Sequence, residues 1–303
     1  MSLEEAQRRF RSSLIEAGLL LASGVDGLYA RSGTYEDIVE GIDRLVVAAG
    51  SDQAATRLRF PPLLPRPLFA RTGYLASFPQ LMGSVHSFTG NDKEHAALLA
   101  LAEAGERWES ALTPTELMLT PAACHPVYPL YSGTLPAAGV IVDVYGYCFR
   151  HEPSIDPARM QAFRMHEYVY LGSPDAAEKH RDMWVDRGME LLESLALQAE
   201  SMPANDPFFG RGGRLLAFSQ RDAGLKTELA VHLYDDESWT AVVSGNCHHD
   251  HFGAEFGIMS ADGAVAHSSC IGFGVDRIAL ALLARHGLDP ARWPPAVRER
   301  LWP

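Results

Sequence analysis

The chain has 303 residues, of which 47% are hydrophobic and 21% are charged, a composition typical of a globular protein with a substantial buried core. A net charge of −12 and a pI near 5.4 argue against a surface built to bind nucleic-acid phosphates. The four cysteines are widely separated, and there is no C-x-x-C pair, export signal or membrane-spanning run. We therefore expect a soluble protein of the reducing cytoplasm.

The first 56 residues are predicted to form a short helical segment. Ser2-x-x-Glu5 has the form of a capping box, and apolar residues follow it at helical spacing. A strand-like run, Val25 to Arg31, separates this helix from a second helix that begins at Thr34. Residues 1–56 are therefore interpreted as an N-terminal helical segment in front of a larger domain that comprises the rest of the chain.

A proline-rich stretch opens this larger domain. Four prolines from Arg59 to Pro67 exclude a central strand or a continuous helix. Asn91-x-x-Glu94 predicts the capped start of a helix. Leu117 to Tyr131 then indicates a short strand followed by a loop, and that loop contains Cys124.

Two apolar-aromatic runs, Val140 to Phe149 and Phe163 to Leu171, predict antiparallel strands joined by a long polar loop. Arg150 and Glu152 lie two residues apart at the end of the first strand, so they are expected to point to the same face. An arginine fork suits two phosphate oxygens, and a carboxylate can accept a hydrogen bond from an amine. These two side chains predict a ligand that contains phosphate and a base.

A second cation and a flat ring follow in the same hairpin. Arg159 and Phe163 have the spacing R-x-x-x-F, which offers another charge for phosphate and a ring for stacking. The alternative interpretation of F-R-x-E, taken alone, is a solvated hairpin that carries a surface ion pair.

The chain after this hairpin combines a helix with antiparallel strands. Pro174 to Ser201 is predicted as one long amphipathic helix, and its exposed face offers Lys179, His180, Arg181 and Arg187. Such a charged face is usually just solvated, although it could also dock an acidic partner, with Arg211 and Arg214 of a GRGGR stretch adding to it.

Further strands are predicted by short apolar runs joined by turns at Asp235-Asp236-Glu237 and Asp262-Gly263: Leu225 to Leu233, Trp239 to Ser244, Phe252 to Ile258 and Val265 to Ile271. A last helix, Val275 to Arg285, is expected to pack on the sheet. The pattern predicts an α+β fold with an antiparallel sheet of about six strands flanked by helices.

The stretch from Gly272 to Arg277 reads G-x-G-x-D-R and leads from a strand into the last helix. Glycine patterns alone are weak evidence for nucleotide binding. A Rossmann loop would need an early βαβ unit, which is not visible here, and there is no G-x-x-x-x-G-K-[ST] sequence.

Taken together and in this order, F-R-H-E, R-x-x-x-F and G-x-G-x-D-R resemble motifs 2 and 3 of class II aminoacyl-tRNA synthetases. Arg57 to Val85 is similar to motif 1 of the seryl-type enzymes, which implies a homodimer. Cys124, Glu167 and Cys270 stand where the atypical seryl-tRNA synthetases of methanogenic archaea carry a zinc site. The closest resemblance is to the short homologues of those enzymes, the amino acid:[carrier protein] ligases.

The resemblance implies a class II synthetase-like catalytic domain over residues 57–303, with the helix 174–201 inserted, and it implies a role for each matching residue. Arg150 and Arg277 would be the catalytic cations, with Arg150 on the α-phosphate of ATP. The remaining nucleotide contacts would come from Glu152, Arg159, Met160, Phe163 and Lys226, with Phe163 stacked on the adenine. Magnesium is expected, but the sequence leaves its ligands open, with Glu228 as one candidate.

The same resemblance implies that Cys124, Glu167 and Cys270 bind Zn²⁺ and leave a fourth position for a substrate amine. Judged by spacing alone, isolated cysteines are usually buried thiols, and a rival ligand cluster is the run from Cys247 to His251. Glu167 would also contact the amino acid, together with the small aliphatic residues Ala241, Val242 and Val243, which suit glycine or alanine. The alternative is that these three residues are only part of the core.

The implied activity is ATP-dependent activation of glycine or alanine, followed by transfer to the phosphopantetheine thiol of a carrier protein. Residues 1–56 are too short to supply the tRNA-binding arm or domain of a seryl-tRNA synthetase, which argues against tRNA as the substrate. Two alternatives remain: a seryl-tRNA synthetase whose tRNA-binding part is absent or supplied in trans, and a non-catalytic synthetase paralogue with a binding or regulatory role.

Overall fold

The computed structural model describes residues 1–204, 225–235 and 237–303. The strands within these residues are β1 (Leu20–Ala22), β2 (Tyr29–Arg31), β3 (Thr56–Leu58), β4 (Leu63–Pro65), β5 (Ser84–Ser87), β6 (Thr113–Leu119), β7 (Gly133–Thr134), β8 (Val140–Phe149), β9 (Ala162–Gly172), β10 (Ala199–Pro203), β11 (Lys226–His232), β12 (Trp239–His249), β13 (Ile258–Met259) and β14 (His267–Gly274). The α-helices are α1 (Leu3–Glu16), α2 (Gly33–Ala49), α3 (Arg66–Arg71), α4 (Tyr74–Ser77), α5 (Asp92–Glu103), α6 (Pro174–Ser194), α7 (His251–Phe256), α8 (Val275–His286) and α9 (Pro295–Leu301). Short 3₁₀ turns occupy Pro79–Leu81, Trp108–Ala111, Tyr128–Tyr131 and Pro290–Arg292.

A seven-stranded sheet in the order β10-β11-β12-β14-β9-β8-β3 organises the molecule. Six of these strands pair antiparallel, and β3 adds to the edge in parallel with β8. This arrangement confirms the predicted α+β fold and its antiparallel sheet. The parallel edge strand was not predicted, because only the three residues that precede the proline-rich stretch form it.

One face of the sheet is covered by helices. Trp184 of α6 is fully buried and stacks on Tyr168 of β9, with ring centroids 4.1 Å apart. Ile38 of α2 and Ile278 of α8 are also fully buried, in the same hydrophobic cluster as Trp184. The N-terminal segment therefore packs against α8 through its helix α2. These side chains belong to the largest hydrophobic cluster of the fold, and their burial stabilises the packing of the helices on the sheet. The opposite face of the sheet stays partly open.

One predicted helix ends at a different residue, and one predicted strand is a helix. The helix α6 ends at Ser194, not Ser201, because Ala196 adopts a left-handed conformation (φ 53°) and the chain then forms the edge strand β10. The run from Phe252 to Ile258, predicted as a strand, is mainly the helix α7, which ends at Gly257 with φ 63°. Arg211, Arg214 and Asp236 lie outside the described residues.

The capping box at Ser2 is present, since its side chain accepts from the backbone of Glu5 and the Glu5 carboxylate accepts from the backbone of Ser2. Asn91 caps α5 in the same way. None of the helices in the described part of the chain combines the length and the apolar character needed to cross a bilayer.

Candidate active site

A cavity of about 590 Å³ opens on the sheet face opposite α6. Its floor is formed by cross-strand neighbours, in which Gly272 of β14 lies between Ser244 of β12 and Glu167 of β9. Gly272 has no side chain, and a Cβ added there would lie 2.7 Å from the Cε atom of Met165. The glycine therefore leaves a trough in the sheet, with Met165 beside it.

Two arginines and an aromatic ring meet at one end of this cavity. The guanidinium of Arg150 lies 5.4 Å from the ring centroid of Phe163, and its Nε donates to the carbonyl of Pro121 at 3.2 Å. The guanidinium of Arg277 donates to the carbonyls of Ala158 and Ala241, at 2.8 and 3.0 Å.

Positive charges crowd this end of the cavity, and the carboxylates of Asp156 and Glu152 offset them in part. Burial lowers the pKa of Arg277, and the nearby positive charges of Arg150 and Arg159 lower it further. Mutual repulsion between confined cations is relieved by a polyanion, so this end of the cavity suits a phosphate chain. Phe163 supplies a flat surface beside it.

The remaining nucleotide residues predicted from the sequence surround the same end. Glu152 and the buried Met160 line the cavity, whereas Arg159 does not line it and is exposed, with its guanidinium 3.5 Å from the carboxylate of Glu152. Lys226 lines the cavity from β11 and pairs with Glu228 at 3.1 Å. Glu228 also lines the cavity, which leaves it a candidate for a magnesium ligand.

The other end of the cavity holds Cys124, Glu167 and Cys270. All three are buried, and their ligand atoms lie within 4.8 Å of one another. Glu167 is oriented by the backbone N–H of Ala123, which donates to its Oε1 at 3.0 Å.

The electrostatics of this cluster favour a cation. Burial raises the pKa of Glu167 to about 7, and the Cys270 sulfur adds to the rise. The hydrogen bond to Cys270, followed by burial and the charge of Glu167, raises the pKa of Cys124. The hydrogen bond from Cys124, together with the nearby side chains of His248 and Asn246, instead holds the pKa of Cys270 below its usual value. The charge on this sulfur disfavours ionisation of the other two groups, and a divalent metal would remove that conflict. Two sulfurs and one carboxylate are a donor set that suits zinc with one open position.

The rival ligand cluster is not assembled. Among the described residues, only one group of three or more Cys, His, Asp or Glu side chains has all its ligand atoms within 4.8 Å of one another, and it consists of Cys124, Glu167 and Cys270. Of the run from Cys247 to His251, only His248 contacts one of these three residues, with its Nε2 atom 3.6 Å from the sulfur of Cys270. Cys247 is buried away from them, close to Arg181 of α6.

The predicted floor residues contribute unequally. Ala241 offers its carbonyl to Arg277, and Val242 presents its carbonyl beside Gly274. Val243 pairs with Phe273 and packs towards Gly188 of α6, on the far side of the sheet.

Sequence reasoning missed other residues that line the cavity, among them Met165, Ser244 and Asn246. His248 and Gly272 also line it, but the sequence pointed to them only as part of the rival cluster and of the glycine motif. A signal for Met165 existed, because Phe163, Met165 and Glu167 alternate along one strand and so share its face. The lining residues on β12 and β14 could not be found in this way, because their place in the cavity depends on the register between these two strands.

The surface of α6 differs from the predicted basic face. His180 is buried and its Nδ1 pairs with the hydroxyl of Ser269 at 3.0 Å, while Arg187 binds Asp52 at 2.7 Å. Lys179 remains exposed among acidic residues, namely Asp175, Glu178, Asp182, Asp186, Glu190 and Glu193. The charge argument for docking an acidic partner on this helix was therefore wrong.

The fold is that of the catalytic core of the class II aminoacyl-tRNA synthetases. The SerRS of M. kandleri, solved in complex with A. aeolicus tRNASec, superposes with a TM-score of 0.82 at 24% identity, over 96% of this chain and 60% of that one. No family model matches the chain.

Relatives in Bradyrhizobium diazoefficiens narrow this class to a family. The chain is 44% identical to amino acid--[acyl-carrier-protein] ligase 2 over 92% of its length and 84% of the relative's. It is 42% identical to amino acid--[acyl-carrier-protein] ligase 1, over 93% and 87% of the two chains. The chain belongs to the amino acid--[acyl-carrier-protein] ligase family, and it is a ligase.

Proposed function

We propose that this ligase activates a small amino acid, glycine or alanine, with ATP and magnesium, and transfers it to the phosphopantetheine thiol of a carrier protein. The observation that carries the proposal is that one cavity is lined both by Arg150, Arg277 and Phe163 and by the Cys-Glu-Cys group. One end suits a nucleotide and the other suits an amino group.

The first step joins the amino acid to AMP. A carboxylate oxygen of the amino acid attacks the α-phosphorus, a new P–O bond forms, and the bond to pyrophosphate breaks. Arg150 would stabilise the charge that builds on the α-phosphate, and Arg277 and Arg159 would hold the γ-phosphate. The reaction needs no nucleophile from the protein, because alignment of the reactants and neutralisation of charge by these cations supply the acceleration.

Phe163 would stack on the adenine, with Met160 beside the ring and Glu152 accepting from its amino group. Lys226 and Glu228 line the same cavity and would contact the phosphates and magnesium.

At the opposite end, Cys124, Glu167 and Cys270 would hold a zinc ion. When bound, this ion would supply a Lewis-acid contact for the amino group of the substrate. The chain's own contribution is to fix the carboxylate of Glu167 through Ala123 and to bury both sulfurs. Ala241 and Val242, with Glu167, border the space left for the amino-acid side chain.

The second step transfers the aminoacyl group. The sulfur of the phosphopantetheine thiol attacks the carbonyl carbon of the adenylate, a thioester forms, and AMP leaves while the thiol proton passes to solvent or to the AMP phosphate. The names of the two Bradyrhizobium relatives support a carrier protein as the acceptor.

Amino-acid-dependent exchange of labelled pyrophosphate into ATP tests the first step. Each amino acid is assayed separately with magnesium and zinc present, and exchange is expected with glycine or alanine. Failure with every small amino acid would reject the enzymatic proposal and favour a non-catalytic paralogue.

Acceptor choice needs a second assay. Incubation with a holo-carrier protein, with the same carrier lacking phosphopantetheine, and with bulk tRNA separates the acceptors. Label on the holo-carrier alone supports the proposal, whereas label on tRNA supports the seryl-tRNA synthetase alternative.

We also propose a homodimer, from the likeness of Arg57 to Val85 to motif 1. Sedimentation is expected to give twice the chain mass of 33.2 kDa, and a monomer would contradict the dimer.

A further inference from the structure

Within the part of the chain that the structure describes, His248 is the one residue of the run from Cys247 to His251, at the end of β12, that contacts the proposed metal ligands. The pairing of β12 with β14 is irregular between Cys247 and His249, because His249 already pairs with Ser268. This irregularity leaves His248 without a strand partner. Its ring lines the cavity, while the neighbouring Cys247 lies towards α6.

Several contacts hold the imidazole ring of His248 in place. Its Nδ1 atom lies 3.1 Å from the hydroxyl oxygen of the fully buried Ser268. The rings of Phe252 and Tyr128 meet it edge to face, with centroids 5.0 and 6.2 Å away. A hydroxyl that donates to Nδ1 leaves the proton on Nε2, which faces the sulfur of Cys270 at 3.6 Å.

The sulfur of Cys270 also receives the side-chain N–H of Asn246, at 3.7 Å. Two N–H donors on one sulfur orient it and take up part of its negative charge when it is a thiolate. Both donors come from β12, two residues apart and on the same face of the strand.

We infer that His248 is a positioning residue for the metal centre, which it supports by donating a hydrogen bond to the Cys270 thiolate without being a ligand itself. The inference rests on the proposed function. His248 is not part of the group whose ligand atoms lie within 4.8 Å of one another. A partner of this kind outside the ligand set typically changes metal affinity by about 10- to 100-fold.

The test measures zinc affinity directly, by competition with a chromophoric chelator. His248→Phe keeps an aromatic ring against Phe252 and Tyr128 but removes the donor, so zinc affinity is expected to fall about 10- to 100-fold. His248→Gln places an amide N–H close to the position of Nε2 and is expected to restore affinity to within about threefold of wild type.

His249→Asn is the matched control. His249 is the next residue and has φ 52°, a conformation that asparagine tolerates. Zinc affinity of this variant is expected to equal that of wild type. If His248→Phe does not fold, as judged by circular dichroism, His248→Met replaces it with the same expected loss.

Cobalt substitution gives a second measurement that a purely structural role would not change. The thiolate-to-cobalt charge-transfer band is expected to shift in His248→Phe and to stay unchanged in His249→Asn. Wild-type zinc affinity in His248→Phe would overturn the inference.

A failure of the proposed function can be distinguished from a failure of the inference about His248. If the wild-type protein binds neither zinc nor cobalt, the metal site itself is refuted, and the role of His248 falls with it. If wild type binds zinc but does not catalyse pyrophosphate exchange, the proposed reaction fails while the affinity comparison still decides the role of His248.

Discussion

Replacing Arg277 by lysine separates the shape of the guanidinium from its charge. The side chain of Arg277 donates through two nitrogens, to the carbonyl oxygens of Ala158 and Ala241. These bonds fix the planar group beside Arg150 at the phosphate end of the cavity. Lysine keeps one positive charge but offers a flexible point donor in place of a rigid fork.

The expected loss is large for catalysis and small for folding. A lost arginine–phosphate contact costs about 2 to 4 kcal/mol in the transition state, or about 30- to 1,000-fold in rate. Folding stability should change by less, because lysine keeps the positive charge and can still donate to one of the two carbonyls, so that only one hydrogen bond, worth about 1 kcal/mol, is lost.

Pyrophosphate exchange, measured over a range of ATP concentrations, tests this prediction, with urea unfolding of the same samples. Arg292→Lys is the control, since Arg292 is exposed on the far C-terminal turn and pairs only loosely with Asp289. Exchange in Arg277→Lys within threefold of wild type, at unchanged stability, would refute the assignment of Arg277 to the phosphates.

Three further predictions follow from buried contacts. Asp276→Asn is expected to destabilise the protein by about 3 to 5 kcal/mol in urea unfolding, because Arg164 and Arg31 would lose the buried carboxylate that pairs with them at 2.7 and 3.1 Å; a loss below about 1 kcal/mol would contradict this. Burial lowers the pKa of His180 to about 3, with Arg187 adding to the effect, so between about pH 6.5 and 3 the unfolded state binds the extra proton and stability falls by about 1.4 kcal/mol per unit of acidification. His180→Gln should remove that slope, and parallel stability curves from pH 7 to 5 would disprove it. Met165→Ala should deepen the trough beside Gly272 and raise the ratio of valine to glycine exchange at least about tenfold, while an unchanged ratio would show that Met165 does not limit substrate size.

Much of the fold could be predicted because its signals are local. The caps at Ser2 and Asn91 mark the starts of two helices, and alternation along β8 and β9 indicates the central hairpin. The run after Asp250 shows where this reasoning fails. Its aromatic residues have strand propensity, but packing against Tyr128 and capping by Gly257 make it a helix.

The candidate site was predictable residue by residue only through the resemblance to a known family. Spacing alone favours buried thiols for Cys124 and Cys270, which lie far apart in sequence. His180 illustrates the opposite error, since its place among charged residues predicts a surface that the packing of α6 on β14 buries. Charge near a residue in sequence says little about which face of a helix is covered.

By itself the sequence determined the caps, the alternating strands and the ligand atoms available on each, since these depend on neighbours a few residues away. Only the tertiary structure decided which atoms meet. Pairing of β12, β14 and β9 in one register places Ser244, Gly272 and Glu167 side by side, and a slip of one residue would turn each to the other face. This register is fixed by which side chains are buried on each face of the sheet. The sequence pattern of a single strand does not show this, because the burial depends on strands that are distant in sequence.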